Sequence, residues 1–192
     1  MQACPVCRCC KGQPVYAIEG LPFRVVLCTE CQTGQLHPRA TPEQIRAFYP
    51  PEYYGSTGAK FEPVVEAFVK IVGARHVRSL TRGIPEGGKV LDVGCGRSLF
   101  SEIDADFPFK VVAGDLEYVG VRTRAGEVPE QLWAVFDADR LPFADQQFDA
   151  LFAGEIIEHM PDVGVTLTEW RRVLKPGGVV IVTTPNRERL LA

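Results

Sequence analysis

The rhythm of apolar and polar positions changes three times along the chain. Near the start, "PVYAIEG" and "FRVVLC" are two short apolar runs around the turn "GLP". Runs of that length, bounded by glycine and proline, predict two short strands. From Phe61 the spacing lengthens, with apolar residues at 61, 64, 65, 68, 71 and 72. That is the period of a helix with one buried face. Its end is basic (Arg75, His76, Arg78 and Arg82), which complements the helix dipole, and "GIPEGG" breaks it. The chain then reads as buried strands: "KVLDVG", "KVVAGD", "LWAVFD", "FDALFAG" and "VVIVTTP". Between the last two, residues 162–174, "DVGVTLTEWRRVL", form a predicted helix that "KPGG" stops. Strands alternating with helices predict a parallel sheet covered by helices. Ligands of such sheets sit beyond the carboxyl ends of the strands, where strand order reverses.

Between the two patterns lies "LHPRATPEQIRAFYPPEYYGSTGAK". Thr41 has the character of an N-cap, with Pro42 at the first helical position and Gln44 three residues on, so a short helix to about Tyr49 is expected. Tyr49, Tyr53 and Tyr54 either cover a ligand or pack the first module onto the second.

Length and charge narrow the classes. A chain of 192 residues holds one medium domain and a small one; the expected division is 1–50 and 51–192. The net charge of −3 argues against a large nucleic-acid surface, which depends on clustered Lys and Arg. No apolar run reaches the ~18 residues of a membrane span, and the first residues are rich in cysteine rather than apolar. A cytoplasmic protein without a membrane partner is the expectation.

Six of the seven cysteines fall within the first 31 residues. A disulfide framework would spread them more evenly. Cys4-Pro-Val-Cys7 and Cys28-Thr-Glu-Cys31 are two CxxC turns, each aiming two sulfurs at one point. Together they predict a tetrahedral four-thiolate site suited to Zn²⁺, in a zinc-ribbon-like module. Cys7-Arg-Cys-Cys10 is also a CxxC turn, so Cys7 and Cys10 are an alternative first pair. Pro5, which stiffens its turn, favours Cys4 and Cys7.

The seventh cysteine lies in "VLDVGCGRSLF". This turn lacks the lysine of a phosphate-binding P-loop. It also lacks the third glycine of a dinucleotide fingerprint, because Leu99 stands where that glycine would fall. Its context is more telling. Asp92 precedes the turn, Asp115 ends the second strand, and Asp137-Ala138 ends the third. Carboxylates at successive strand ends are placed to accept hydrogen bonds from a nucleoside.

In this order, "VLDVGCG", "VVAGDL", "FDADRLPF", "EIIEHMPD" and "LKPGGVVIVTTPN" resemble the class I S-adenosylmethionine-dependent methyltransferases over roughly residues 61–187. The cysteine module followed by "FYPPEYYG" is similar to bacterial members that carry a zinc module ahead of the core. The resemblance implies a Rossmann-like, doubly wound, mostly parallel α/β sheet of about five strands. The hairpin that usually follows the fifth strand has no counterpart before Ala192. An open fifth-strand edge is then a place for a partner chain or a second copy.

The resemblance also implies roles. Gly94, Cys95 and Gly96 would face the amino acid part of S-adenosylmethionine, with Asp92 orienting the turn. Asp115 would hold the ribose, Leu116 would wall the adenine, and Asp137 and Ala138 would meet the adenine edge. Glu155 would complete the cofactor contacts, and Glu158 and His159 would act as proton acceptors toward a small-molecule substrate. If the segment 155–159 is helical, its two carboxylates and imidazole share one face. Similar segments hold a metal in small-RNA 2′-O-methyltransferases and in some quinone-pathway O-methyltransferases, while in many relatives the segment is not known to bind one. The expected reaction is methyl transfer to oxygen, nitrogen or carbon; the alternative is a zinc-containing binding or assembly protein without transfer.

Overall fold

The computed structural model describes residues 2–48, 82–96, 109–116 and 131–185, with single positions 68, 71, 72, 74, 75, 77, 79, 121, 125 and 126. The backbone divides into two compact units. One comprises Met1–Lys60 with Pro161–Gly164, the other Phe61–Met160 with Val165–Ala192.

The first unit is a three-stranded antiparallel sheet of β1 (Gly12–Ala17), β2 (Arg24–Cys28) and β3 (Gly34–His37), in that order. β1 and β2 are the two runs read from the sequence. β3 was not expected: "GQLH" has no β-branched residue and no alternation long enough to read. Pairing supplies what its composition does not, because Arg24 to Leu27 present a ready edge to His37 through Gly34. A short helix α1 (Pro42–Ala47) follows. Its start is a reciprocal cap. The Thr41 N–H donates to Gln44 Oε1 at 2.8 Å, and the Gln44 N–H donates to Thr41 Oγ1 at 3.3 Å. Tyr49, Tyr53 and Tyr54 lie outside the described residues.

The second unit contains five parallel strands: β4 (Lys89–Val93), β5 (Lys110–Asp115), β6 (Leu132–Val135), β7 (Phe148–Gly154) and β8 (Leu174–Thr183). Their order is β6-β5-β4-β7-β8. The chain winds outward from β4 to β6, then restarts on the other side at β7. The order therefore reverses between β4 and β7, and the carboxyl ends there are where open sheets of this kind place their ligand crevice.

One helix, α2 (Val163–Val173), leads into β8. Its register on β7 jumps from Phe148↔Leu174 to Ala150↔Val179. Three positions intervene between these partners on β8 more than on β7, so "KPGG" bulges out. Gly177 accommodates the bulge with φ +79°. The break after α2 thus becomes an irregular strand start rather than a free loop.

The core lies on both sheet faces. Leu91, Val93, Leu151, Phe148, Trp170 and Val173 form the larger cluster. Val77, Val90, Phe109, Ala150 and Phe152 form the smaller. All described positions from 68 to 79 are helical, as the apolar period predicts. The buried face differs from the expectation: Phe68 and Ile71 are exposed, and Val77 is the residue packed on the sheet. At about 100° per residue Val77 lies on the opposite side of the helix from Phe68 and Ile71, so the spacing predicts the helix but not the face that packs on the sheet. No helix among the described residues is long and apolar enough to cross a membrane.

Candidate functional site

β4 runs directly into the glycine turn. Gly94 has φ +64° and Gly96 φ +49°, a region where a side chain is strained. At Gly94 a Cβ would stand 2.1 Å from Ile156 Cδ1, so the turn closes only over glycine. At Gly96 nothing lies within 4 Å of that position, which leaves the backbone open to a ligand. Two hydrogen bonds tie the turn to the end of β5. The Cys95 N–H donates to the Gly114 carbonyl at 3.0 Å, and the Gly96 N–H donates to Asp115 Oδ2 at 2.9 Å. The Asp115 carboxylate is therefore already oriented at the mouth of the crevice. Leu116, next along, is 58% exposed. An apolar side chain in that position offers a flat wall to a ring. Asp92 is the opposite case, 2% exposed within β4 two residues ahead of the turn.

Beyond β6 the chain makes a tight bend in which Asp137 bridges to Arg140. The Asp139 N–H donates to Asp137 Oδ1 at 3.4 Å. Burial first, and then the charge of Asp137, raises the Asp139 carboxyl above its ordinary value. Ala138 is buried, and its carbonyl accepts the Trp170 indole N–H at 2.8 Å. The rest of the bend is held from α2. Glu169 accepts the Leu141 N–H at 2.8 Å and is clamped by Arg172 at 2.7 Å. Arg172 also reaches the carbonyls of Leu141 and Phe143 and the Asp145 carboxylate. The Arg172 hydrogen bond holds Glu169 below the usual carboxylate range. Sequence reading found Asp137 and Ala138 but not the Trp170, Glu169 and Arg172 that position them. The only hint was that "EWRR" places polar groups on an otherwise apolar helix.

At the end of β7, Glu155 takes φ +56°, unusual for a residue with a side chain, and its N–H donates to the Thr183 carbonyl at 2.9 Å. Ile157–His159 then form a single 3-10 turn. Glu155 lies outside that turn, so 155, 158 and 159 do not share a helical face. Instead the Thr184 hydroxyl donates to Glu158 Oε2 at 3.0 Å, linking Glu158 to the end of β8. Ile156, which sequence reading left aside, fills the space that Gly94 leaves.

In the first unit the sulfurs of Cys4, Cys7, Cys28 and Cys31 all lie within 4.8 Å of one another. This is the one cluster of potential metal-ligating side chains among the described residues. The Cys4–Cys31 and Cys7–Cys28 sulfur pairs are 3.6 and 3.4 Å apart. A tetrahedral zinc with sulfurs at about 2.3 Å separates them by roughly 3.8 Å, so the donor set fits the ion. The two turns are near copies. The Arg8 and Gln32 N–H groups each donate to the carbonyl of the first cysteine, Cys4 and Cys28, at 3.0 Å. Arg8 and Gln32 take φ values of 65° and 59°. This repetition settles the first pair as Cys4 and Cys7; the exposed Cys10 is not among the four.

Hydrogen bonds from the Thr33 side chain first, and then its backbone, lower the Cys31 thiol to about 6. Cys7 moves the other way, to about 12. A Cys9 backbone hydrogen bond lowers it, but Cys31, burial and the other two thiols together raise it more. The thiols share protons that a divalent cation would displace.

A five-stranded parallel sheet in this order, with a glycine turn and acids at successive strand ends, is a Rossmann-like fold. Residues 91–182 match the family model described as "Methyltransferase domain". The ubiquinone biosynthesis O-methyltransferase of Rhizobium etli is 33% identical over 148 residues, covering 71% of this chain and 59% of that protein. The 2-methyl-6-phytyl-1,4-hydroquinone methyltransferase of Synechocystis is 38% identical over 108 residues, 54% of this chain and 34% of the relative. A solved Pyrococcus horikoshii protein superposes with a TM-score of 0.59 at 25% identity, covering 79% of this chain and 70% of that one. The chain belongs to the class I S-adenosylmethionine-dependent methyltransferases. It spans about six tenths of the length of the first of these relatives.

Proposed function

We propose that the core binds S-adenosylmethionine across the carboxyl ends of β4, β5 and β6 and transfers its methyl group to a small-molecule acceptor. The observation that carries this is the Gly96 N–H bond to Asp115, which joins an open glycine turn to a carboxylate at the end of the neighbouring strand β5. When bound, the cofactor would supply an electrophilic sulfonium methyl, which the acceptor takes as S-adenosylhomocysteine leaves. The chain supplies alignment. Gly94 and Gly96 admit the ligand close to backbone, and Asp92 steadies the turn from within. Asp115 accepts ribose hydroxyls, and Leu116 flanks the base. Asp137 and the Ala138 N–H meet its edge, and Glu155 borders the amino acid end.

Glu158 and His159 take the proton of an acceptor hydroxyl, Glu158 being held for that task by Thr184. The name of the Rhizobium etli relative favours an oxygen nucleophile, and that of the Synechocystis relative favours a hydroquinone-type ring as the acceptor class. They disfavour the competing reading, a binding protein without transfer. In the first unit, Cys4, Cys7, Cys28 and Cys31 hold a structural zinc.

Calorimetric titration of the zinc-loaded protein with S-adenosylhomocysteine tests the pocket. Micromolar binding at one site is expected, and Asp115→Ala should weaken it about tenfold, or ~1.4 kcal/mol. Asp115→Asn keeps an acceptor for Gly96 and separates loss of the turn from loss of the ribose contact. Unchanged affinity in both variants would remove Asp115 from the site.

A further inference from the structure

At the opposite end of the core sheet, the first residues of three strands meet around a second cavity. Lys89 opens β4, Lys110 opens β5 and Leu132 opens β6. Lys89 stands directly opposite Lys110 in register, as Val112 does opposite Leu132, so all four side chains lie on one face. With Pro142, Phe143, Ala144, Gln147 and Phe148 they line a cavity of about 260 Å³. Its back wall is stiff: Phe143 packs edge-on against both Phe136 and Phe148. Five to seven residues of strand separate it from the glycine turn, some 15–20 Å, so it is no part of the cofactor site.

The charge is what needs an explanation. Like charges directly across a sheet are destabilising. The chain is acidic overall, with 24 Asp and Glu against 21 Lys and Arg. Nevertheless the lining, among the described residues, contains two lysines and no acid. Two neighbouring carboxylates among the described residues are engaged elsewhere: Asp149 holds Lys175 at 2.8 Å and accepts the Lys89 backbone N–H, and Asp145 holds Arg172 at 2.7 Å. Among the described residues neither Lys89 nor Lys110 has an ion-pair partner. Behind them the wall is apolar, and Leu132 is 62% exposed.

We infer that this cavity binds an amphipathic anion, a carboxylate or phosphate carried on an apolar chain. The two ammonium groups receive the head, and Leu132, Phe143, Val112 and Phe148 receive the first carbons of the tail. The ligand neutralises the repulsion between the lysines and covers the apolar wall, which no simple anion and no neutral chain does at once. The site is independent of methyl transfer.

Sodium octanoate titrated into the zinc-loaded full chain tests it. Saturable binding at one site is expected, weakening as salt is raised. 1-Octanol should bind at least tenfold more weakly, and the double variant Lys89→Gln/Lys110→Gln should lose at least tenfold. The double variant removes a like-charge pair, so it should melt no lower than the parent, which separates loss of the site from loss of the fold. Co-flotation with vesicles distinguishes the source of the head group. Recruitment to phosphatidylglycerol but not phosphatidylcholine, lost in the double variant, assigns the site to a lipid surface. Octanoate binding without flotation assigns it to a free amphiphile. No saturable binding of either probe, or binding that survives the double variant, overturns the inference.

Discussion

The strands of the amino-terminal sheet leave most of their side chains in solvent, whereas β4 and β7 leave almost none. β1 has no buried residue, and the buried set of that unit among the described residues is Cys4, Phe23, Val26 and Cys28. Half of that set is cysteine. In the core, four of the five β4 residues are buried, and Trp170, Leu91 and Leu151 are completely enclosed. A sheet of three short strands cannot offset its chain entropy by burial, so it needs a cross-link at its knuckles. The core closes on apolar area alone and can leave its strand ends polar and open. The cysteine cluster lies in the unit with the small core, and the open strand ends lie in the unit with the large one.

The largest test of that contrast is metal removal. Chelation, or Cys28→Ser, should unfold the amino-terminal sheet outright, read as collapse of amide dispersion and exchange protection for residues 2–48. Signals of β4 and β7 should persist. Retention of protection in β1–β3 without metal would mean that burial suffices there.

The complementary perturbation strikes the core. Trp170→Ala should cost about 3–5 kcal/mol by its cavity, and it also frees the Ala138 carbonyl. Denaturant melting should show the core transition moving while the zinc-loaded unit holds. Simultaneous loss of both would break the comparison.

The smallest effect is electrostatic. Asp149 is held below the ordinary aspartate range, first by the Lys175 hydrogen bond. A carboxylate depressed in the folded state adds stability above the unfolded value and loses it as pH falls through the folded one. Lys175, 45% exposed, limits the gain, so Lys175→Ala should cost at most about 1 kcal/mol at neutral pH. The difference from the parent should fade in melts taken below about pH 4. A gap unchanged in acid would assign the effect to packing.

Much of the core was legible because buried parallel strands are near-continuous apolar runs. β5 and β7 coincide with "KVVAGD" and "FDALFAG" end to end. β3 was not legible, since four residues of mixed character become a strand only beside β2. The segment 155–159 misled for a related reason. Its helical spacing is real, but the Glu155 bond to Thr183 and the packing of Ile156 on Gly94 turn the backbone left-handed first. Those partners come from β8 and β4, far away in sequence.

The sequence by itself determined the inventory: two CxxC turns, a glycine turn after a strand, acids at strand ends, and the order in which they come. These are local properties, set by turn chemistry and by the period of apolar residues. Only the tertiary structure decided which cysteine pair joins the cluster, and that Asp115 reaches back to the Gly96 N–H. Only it showed that Trp170, Glu169 and Arg172 hold the bend after β6, and that Lys89 and Lys110 face each other. Each is a contact between segments that are neighbours only across a sheet or a helix–sheet interface, and strand order is fixed by packing of the whole chain.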